Sequence, residues 1–303
     1  MDVRILDRLR CPVCGEPLAE TTAGTARALR CPRRHSFDIA RQGYVNLLAG
    51  RAPHTGDSAE MVAARADFLA AGHYETVAAA LAATAAEIVD KTPVAPGEAA
   101  SAHGARRRAA GNPYPLVVDA GAGTGWYLAA VLAALPDAVG LALDVAKPAL
   151  RRAARAHPRA AAALADTWQR LPLADHSAAL LLNVFAPRNG PEFHRVLDPA
   201  GALLVVTPAA DHLTELVDAL DLLRVDPAKA DRVAGSLSAH FTEESAGEHR
   251  ARLALRRTEV ATLVGMGPSA WHTDPARLAE RITALPEPVP VTLAVRIGVH
   301  RPR

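Results

Sequence analysis

The stretch Leu116-Val117-Val118-Asp119-Ala120-Gly121-Ala122-Gly123-Thr124-Gly125 constrains the fold more than any other part of this 303-residue chain. An apolar run without polar alternation ends in an acid, then in three glycines spaced by two. Such a run is expected of a parallel strand covered on both faces. The glycines let the backbone turn sharply and approach a ligand where a Cβ would intervene. Residues 126–135 read as the following helix. Strand, glycine turn and helix place a nucleotide-type site at the carboxyl end of a strand. The spacing narrows this further. The dinucleotide fingerprint G-x-G-x-x-G needs its third glycine at position 126, but the chain has Trp126 there and the glycine at 125.

This D-x-G-x-G-x-G form resembles the S-adenosylmethionine (SAM) loop of class I methyltransferases. Taken alone it also suits other nucleotides or a plain tight turn. Asp119, Gly121, Gly123, Thr124 and Gly125 are its candidate cofactor residues. Strand and helix then alternate. A strand at 138–143 ends at Asp144, 23 residues after Gly121. An acid closing the second strand faces the ribose hydroxyls; its other role is to cap the helix beginning near Lys147. A third strand at 160–165 ends at Asp166, placed to accept from an adenine amino group or, again, to cap a turn, with Thr167 and Trp168 beside it. Strands at 178–184 and 201–207 follow, with a short helix at 192–197 between them. Further helices are expected from 212, at 228–236 and at 258–264. Polar alternation runs through 240–255, and the alternation at 290–299 predicts an antiparallel final strand.

The three cysteines all lie near the N-terminus. Cys11-Pro-Val-Cys14 and Cys31-Pro-Arg-Arg-His35 give the pattern C-x2-C…C-x3-H. Two thiolates on one tight turn take two corners of a zinc tetrahedron, and a second knuckle supplies the rest. Cys11, Cys14, Cys31 and His35 are therefore the candidate ligands of a structural zinc, against unligated reduced cysteines as the alternative. An odd cysteine count argues against a disulfide framework, and so small a core needs the metal to fold. Residues 1–56 hold nine arginines against five acids. Arg33, Arg34 and Arg41 with Tyr44 form a candidate guanidinium and aromatic face, which suits unpaired RNA bases and phosphates. A solvated rim, in a chain rich in Arg and Ala throughout, is the alternative. Short strands are expected around 37–39 and 44–48.

Asp57-Ser58-Ala59-Glu60 reads as a capped helix start, with helix to about residue 71 and again over 75–89. Residues 90–115, rich in Pro and containing Arg106-Arg107-Arg108, read as a linker. No apolar run approaches the roughly 20 residues needed to span a bilayer, and the first residues lack a signal peptide's apolar segment. A cytoplasmic protein with no membrane partner is expected.

Several segments now add up to a resemblance. The zinc knuckles are followed by FDIARQGYVNLL, then GDSAEMVAARADFLAAGHYETV, DAGAGTG, ALDVAKPAL and VFAP…VLDPAGALLVVTP…HLTEL. Together they resemble the large-subunit (23S) rRNA guanine-N1 methyltransferases, collinearly over about residues 5–225 and most specifically in the first 75. The stretch from Asp166 to Pro172 is closer to the Gram-positive branch that includes the tylosin and mycinamicin resistance methyltransferases. The linker at 91–113 departs from shorter members. The resemblance implies zinc at Cys11, Cys14, Cys31 and His35, and a SAM site that includes Tyr74, the glycine loop, Asp144 and His212. Tyr74 and His212 rest on motif alone. From the residues themselves Tyr74 reads as core and His212 as a helix-terminal residue. The resemblance further implies a hairpin of domain II of 23S rRNA as substrate, a homodimer, and resistance to tylosin-type macrolides.

The expected architecture is thus α/β: a class I SAM-dependent methyltransferase domain over 113–303, Rossmann-like with a mixed seven-stranded sheet. A helical connector and flexible linker occupy 51–112, and a zinc-binding RNA-recognition module occupies 1–50. Guanine N1 carries a proton in its neutral form, so methylation there needs that proton lost or the developing O6 charge stabilised. Asn183 with the backbone near Pro187 is a candidate for holding the base edge, and Asp57 or His212 for assisting. Two other readings remain at this point. One is a methyltransferase for a small metabolite with a merely structural zinc module. The other is an RNA-binding zinc ribbon with an inactive SAM domain, which the intact Gly121, Gly123, Gly125 and Asp144 disfavour.

Overall fold

The computed structural model describes residues 1–23, 26–50, 56–91, 114–222, 235–267 and 274–303. The arginine triplet at 106–108 and most of the helix expected at 228–236 lie outside the described residues.

The N-terminal module starts with α1 (Val3–Leu6), capped by Asp2, whose carboxylate accepts from the Arg4 backbone N–H at 2.9 Å. Three short strands, β1 (Ala19–Ala23), β2 (Ala26–Arg30) and β3 (Ser36–Asp38), form an antiparallel sheet in that order. Two tight turns present the cysteines. The Gly15 N–H donates to the Cys11 carbonyl at 2.8 Å, and the Arg34 N–H to the Cys31 carbonyl at 2.9 Å. The first turn requires a left-handed residue, and glycine is there at φ 76°.

β4 (Tyr44–Asn46) then leaves the module and pairs in parallel with β7 (Ala160–Leu164), Val45 opposite Ala163. The large sheet runs in the order β10-β11-β9-β8-β5-β6-β7-β4. Its remaining strands are β5 (Leu116–Ala120), β6 (Val139–Asp144), β8 (Ala178–Val184), β9 (Leu197–Pro208), β10 (Phe241–Leu255) and β11 (Val289–Pro302). β4 to β9 are mutually parallel, whereas β11 runs antiparallel to β9 and β10 antiparallel to β11. The seven strands of the expected mixed sheet are β5 to β11, and the zinc module contributes an eighth at the far edge. β10 carries polar side chains on both faces, so its sequence reads as alternation without a core. Among the described residues it is an edge strand paired with β11 alone, which accounts for that pattern.

The central strands are apolar throughout because both faces are covered. One face packs against α2 (Ala59–Ala70), α3 (Glu75–Lys91), α4 (Trp126–Ala134), α5 (Lys147–Ala153), α7 (Thr214–Leu220) and α8 (Arg257–Gly265). The connector helices α2 and α3 therefore belong to the main core: Phe68 and Leu81 are fully buried there. Truncating Phe68 to Ala costs about 3–5 kcal/mol on that basis. The other face packs against Ile5, Leu9 and Leu29 of the zinc module and against Phe193 and Val196 of α6 (Gly190–Val196). An amphipathic α9 (Pro275–Thr283) anchors through Ile282. The chain runs outward through β5, β6 and β7, then returns to the other side for β8 and β9. The crevice for a ligand opens at that reversal, at the carboxyl ends of β5 and β8.

Candidate cofactor pocket and zinc centre

At the reversal point lies a cavity of about 450 Å³. The glycine loop forms its floor. The Gly121 and Ala122 N–H groups donate to the Leu143 carbonyl at 2.9 and 3.0 Å, which docks the loop on the end of β6. A Cβ at Gly121 would overlap the Ala186 methyl, so only glycine lets the β5 and β8 ends approach. Gly121, Gly123 and Thr124 line the cavity, but Gly125 does not. Its expected cofactor contact is corrected: at φ 79°, a Cβ on it would stand 3.0 Å from the Ala153 Cα, and it serves the close packing of α4 on α5.

Four acids surround the loop. Asp144 accepts from the Gly123 N–H and the Ala146 N–H, each at 2.8 Å, and still lines the cavity. Burial pushes its carboxyl up from the ordinary value, against those two hydrogen bonds. Asp166 accepts from the Trp168 N–H at 2.9 Å and also lines the cavity. Asp119 is 1% exposed, and neither carboxylate oxygen has a partner. Burial, with the Asp144 charge second, pushes its carboxyl up to about 8. An unpaired buried acid at the glycine loop fits a cofactor that brings an ammonium. Asp57 is held by Arg65 in an ion pair, and Arg65 also donates to the Met266 carbonyl at 2.9 Å. The N-cap of α2 is Ser58, which accepts from the Met61 N–H, and this leaves Asp57 free for Arg65.

The other end of the cavity is aromatic. Phe185 follows β8 with a left-handed backbone at φ 53° and a ring 42% exposed. A bulky side chain in that region is an outlier. The ring lies nearly parallel to His212, at 6.3 Å and 23° between planes, with Tyr74 and Tyr127 tilted against it at 6.4 and 6.5 Å. Tyr74 lines the cavity, and its Oη is 3.3 Å from His212 Nε2. His212 Nδ1 accepts from the Ala294 N–H at 3.2 Å, so the ring's one proton sits on Nε2 and is donated to Tyr74. Burial pulls His212 down to about 4, which keeps it neutral. Burial likewise raises the Tyr74 and Tyr127 hydroxyls.

These contacts correct the three candidates for catalysis. His212 has no free nitrogen to accept a proton. Asp57 faces Arg65 and influences Asp144, beside the glycine loop and away from the aromatic end. Asn183 is fully buried and donates to the Ala120 and Pro187 carbonyls at 3.2 and 2.8 Å, so it fixes the Phe185–Pro187 wall from behind. Tyr44 is also corrected. It is 9% exposed inside the main core through its pairing with β7, and it is not part of an RNA-facing surface. Arg33, Arg34 and Arg41 are exposed as expected. Sequence reasoning does not find Arg65, and it places the 183–187 segment at the height of the transferred group without singling out Phe185. Asp57 and Arg65 stand about two helical turns apart on one face, and an aromatic residue after a strand end in VFAP was the available signal for Phe185.

In the N-terminal module the ligand atoms of Cys11, Cys14, Cys31 and His35 all lie within 4.8 Å of one another. Cys14 Sγ is 3.7 Å from Cys31 Sγ, and His35 Nδ1 is 3.4 and 3.5 Å from the sulfurs of Cys31 and Cys11. A tetrahedron with zinc–sulfur bonds of about 2.3 Å and a zinc–nitrogen bond of about 2.0–2.1 Å has edges of about 3.8 and 3.6 Å. The four residues fit zinc through Nδ1 of His35 and close its coordination.

A glycine loop at the reversal of a doubly wound sheet, with acids at the ends of its first three strands, defines a class I SAM-dependent methyltransferase. Comparison with known proteins is specific. The family description "RlmA, N-terminal", a zinc ribbon, matches residues 9–52. A relative from Micromonospora griseorubida, named for 23S rRNA guanine-N1 methylation, is 67% identical over 98% of both chains. The 23S rRNA (guanine(748)-N(1))-methyltransferase of Streptomyces fradiae is 50% identical over 100% of this chain and 99% of its own. A solved SAM-dependent methyltransferase from Aquifex aeolicus covers 62% of this chain and 81% of its own, with a TM-score of 0.38 and 12% identity. The chain belongs to the 23S rRNA (guanine-N1)-methyltransferase family.

Proposed function

We propose that this protein methylates N1 of a guanine in a hairpin of domain II of 23S rRNA, in the cytoplasm, and that the mark gives resistance to tylosin-type macrolides. The observation that carries the reading is the full-length identity with relatives named for that reaction. The geometry supports it with an aromatic acceptor end directly beside a SAM-type loop. The guanine named in the Streptomyces fradiae relative is the first target to test. A homodimer is part of the proposal on the resemblance alone.

When bound, SAM supplies a methyl group already activated on a sulfonium. Asp144 and Asp166 would accept from its ribose hydroxyls and adenine amino group, and Asp119 would take its ammonium. Tyr74 accepts a hydrogen bond from the His212 Nε2–H, which leaves its own O–H to donate into the cavity. Phe185 offers a π-face for the target base, which has to be splayed out of its stack to reach it. Exposed Arg33, Arg34 and Arg41 hold the RNA backbone. At the aromatic end no described side chain is a base at neutral pH, since His212 is neutral with both nitrogens engaged and the tyrosines are protonated. The guanine proton therefore passes to water, and positioning contributes most of the rate.

Methylation at N1 blocks the Watson–Crick edge. Reverse transcriptase on rRNA from cells expressing the protein should stop at one guanine. A trace identical to that of control rRNA overturns the reading.

A further inference from the structure

Arg188 follows the acceptor wall directly. Phe185, Ala186 and Pro187 line the cavity, and α6 begins at Gly190. The Arg188 side chain is half-buried, and its Nε is sealed from water without a partner. Among the described residues it makes no ion pair or hydrogen bond. Among the described residues, its surroundings do not balance the charge. Arg188 and Arg296 both act on His300, and the acid of this group, Glu243, is engaged by Arg296 at 2.6 Å. Glu243 also lies 3.8 Å from the His300 ring. Burial pulls Arg188 below the usual guanidinium range. A desolvated cation without a counter-ion is costly, and a fold retains one where a ligand brings the anion.

We propose that Arg188 binds a backbone phosphate of the RNA strand beside the target guanine. The inference rests on the guanine-N1 reading above. A base drawn into the pocket carries its flanking phosphates to the residues around it, and Arg188 directly follows the cavity-lining Pro187. A guanidinium fork matches a phosphate with two parallel hydrogen bonds. Arg188 does not line the cavity that Asp119, Asp144 and Asp166 define, so the cofactor's carboxylate is not the anion it serves.

The test uses full-length, zinc-loaded protein and an RNA hairpin containing the target guanine. Arg188→Gln should raise the RNA KM about tenfold and flatten the salt dependence of binding by about 0.7 in log–log slope, one single-strand phosphate contact. SAM affinity by calorimetry should stay unchanged, and Arg188→Lys should recover part of the loss. A hairpin with one neutral methylphosphonate beside the guanine should weaken wild-type binding by the same factor and leave Arg188→Gln unaffected. This arm needs no destabilising variant if wild-type protein alone is compared on the two hairpins. An unchanged KM and salt slope in folded Arg188→Gln overturns the proposal, as does a tenfold loss of SAM affinity. Wild-type protein that neither binds nor methylates the hairpin overturns the guanine-N1 reading and this proposal with it.

Discussion

Removing zinc should weaken SAM binding, although no zinc ligand lines the SAM cavity. The path is short. Asp166, Thr167 and Trp168 line the cavity between two points tied to the zinc module. On one side the Leu47 N–H donates to the Leu164 carbonyl at 3.0 Å, continuing the β4–β7 pairing. On the other, the Arg10 N–H donates to the Pro172 carbonyl and the Ala174 N–H to the Arg8 carbonyl, each at 2.9 Å, around the Leu9–Leu173 bridge. Leu9 and Leu173 are at most 1% exposed. Metal loss unfolds the knuckles that hold Arg8 to Arg10 in place, since structural zinc carries the folding energy of so small a module. The second anchor then loses two hydrogen bonds of about 0.5–1.5 kcal/mol each and the burial of one leucine, about 1.5–3 kcal/mol. The cofactor feels only the part that reorders the Asp166 loop, about 1–2 kcal/mol per residue fixed. That corresponds to a Kd about 5–30-fold weaker. Calorimetry of SAM binding before and after chelation, with metal content measured on the same samples, reads it directly. Leu9→Ala should reproduce part of the loss with zinc still bound. A zinc-free, otherwise folded protein with the wild-type Kd would refute the coupling.

Asp144→Ala should weaken SAM binding by about 10–150-fold, the equivalent of about 1.5–3 kcal/mol for a hydrogen bond to a charged group. Calorimetry checks it, and unchanged affinity removes the ribose assignment. Asp119 predicts a pH effect. Its carboxyl, at about 8 in the fold, lies above the ordinary value of about 3.9, so between those values the unfolded chain holds fewer protons than the native one. Its contribution to stability therefore falls as pH rises through that window. A bound ammonium draws the carboxyl back down, so SAM binding near neutral pH should release a proton. Calorimetry in buffers of different ionisation enthalpy should show this in wild type and lose it in Asp119→Asn. Identical heats in all buffers would contradict the role.

What the sequence conveyed depended on how local the determinant is. The glycine spacing, the C-x2-C…C-x3-H knuckles and the acids at strand ends are set within a few residues, and each was legible. Tyr44 was not. Its neighbours suggested an exposed aromatic in a basic module, but its environment is decided by Ala162, more than a hundred residues away, which it faces across a parallel pairing. The same non-local pairing makes the zinc module part of the catalytic sheet, which no spacing in 1–50 discloses. His212 shows a third case. Motif named it with Tyr74 as a cofactor residue; it packs behind Tyr74 and does not line the cavity, and its protonation is fixed by the Ala294 N–H on β11, 82 residues downstream. That one backbone donor turns a residue expected to assist proton transfer into a fixed donor. It follows that an imidazole behind Tyr74 contributes by aiming the Tyr74 hydroxyl, and that the pH dependence of methylation should follow the guanine rather than His212.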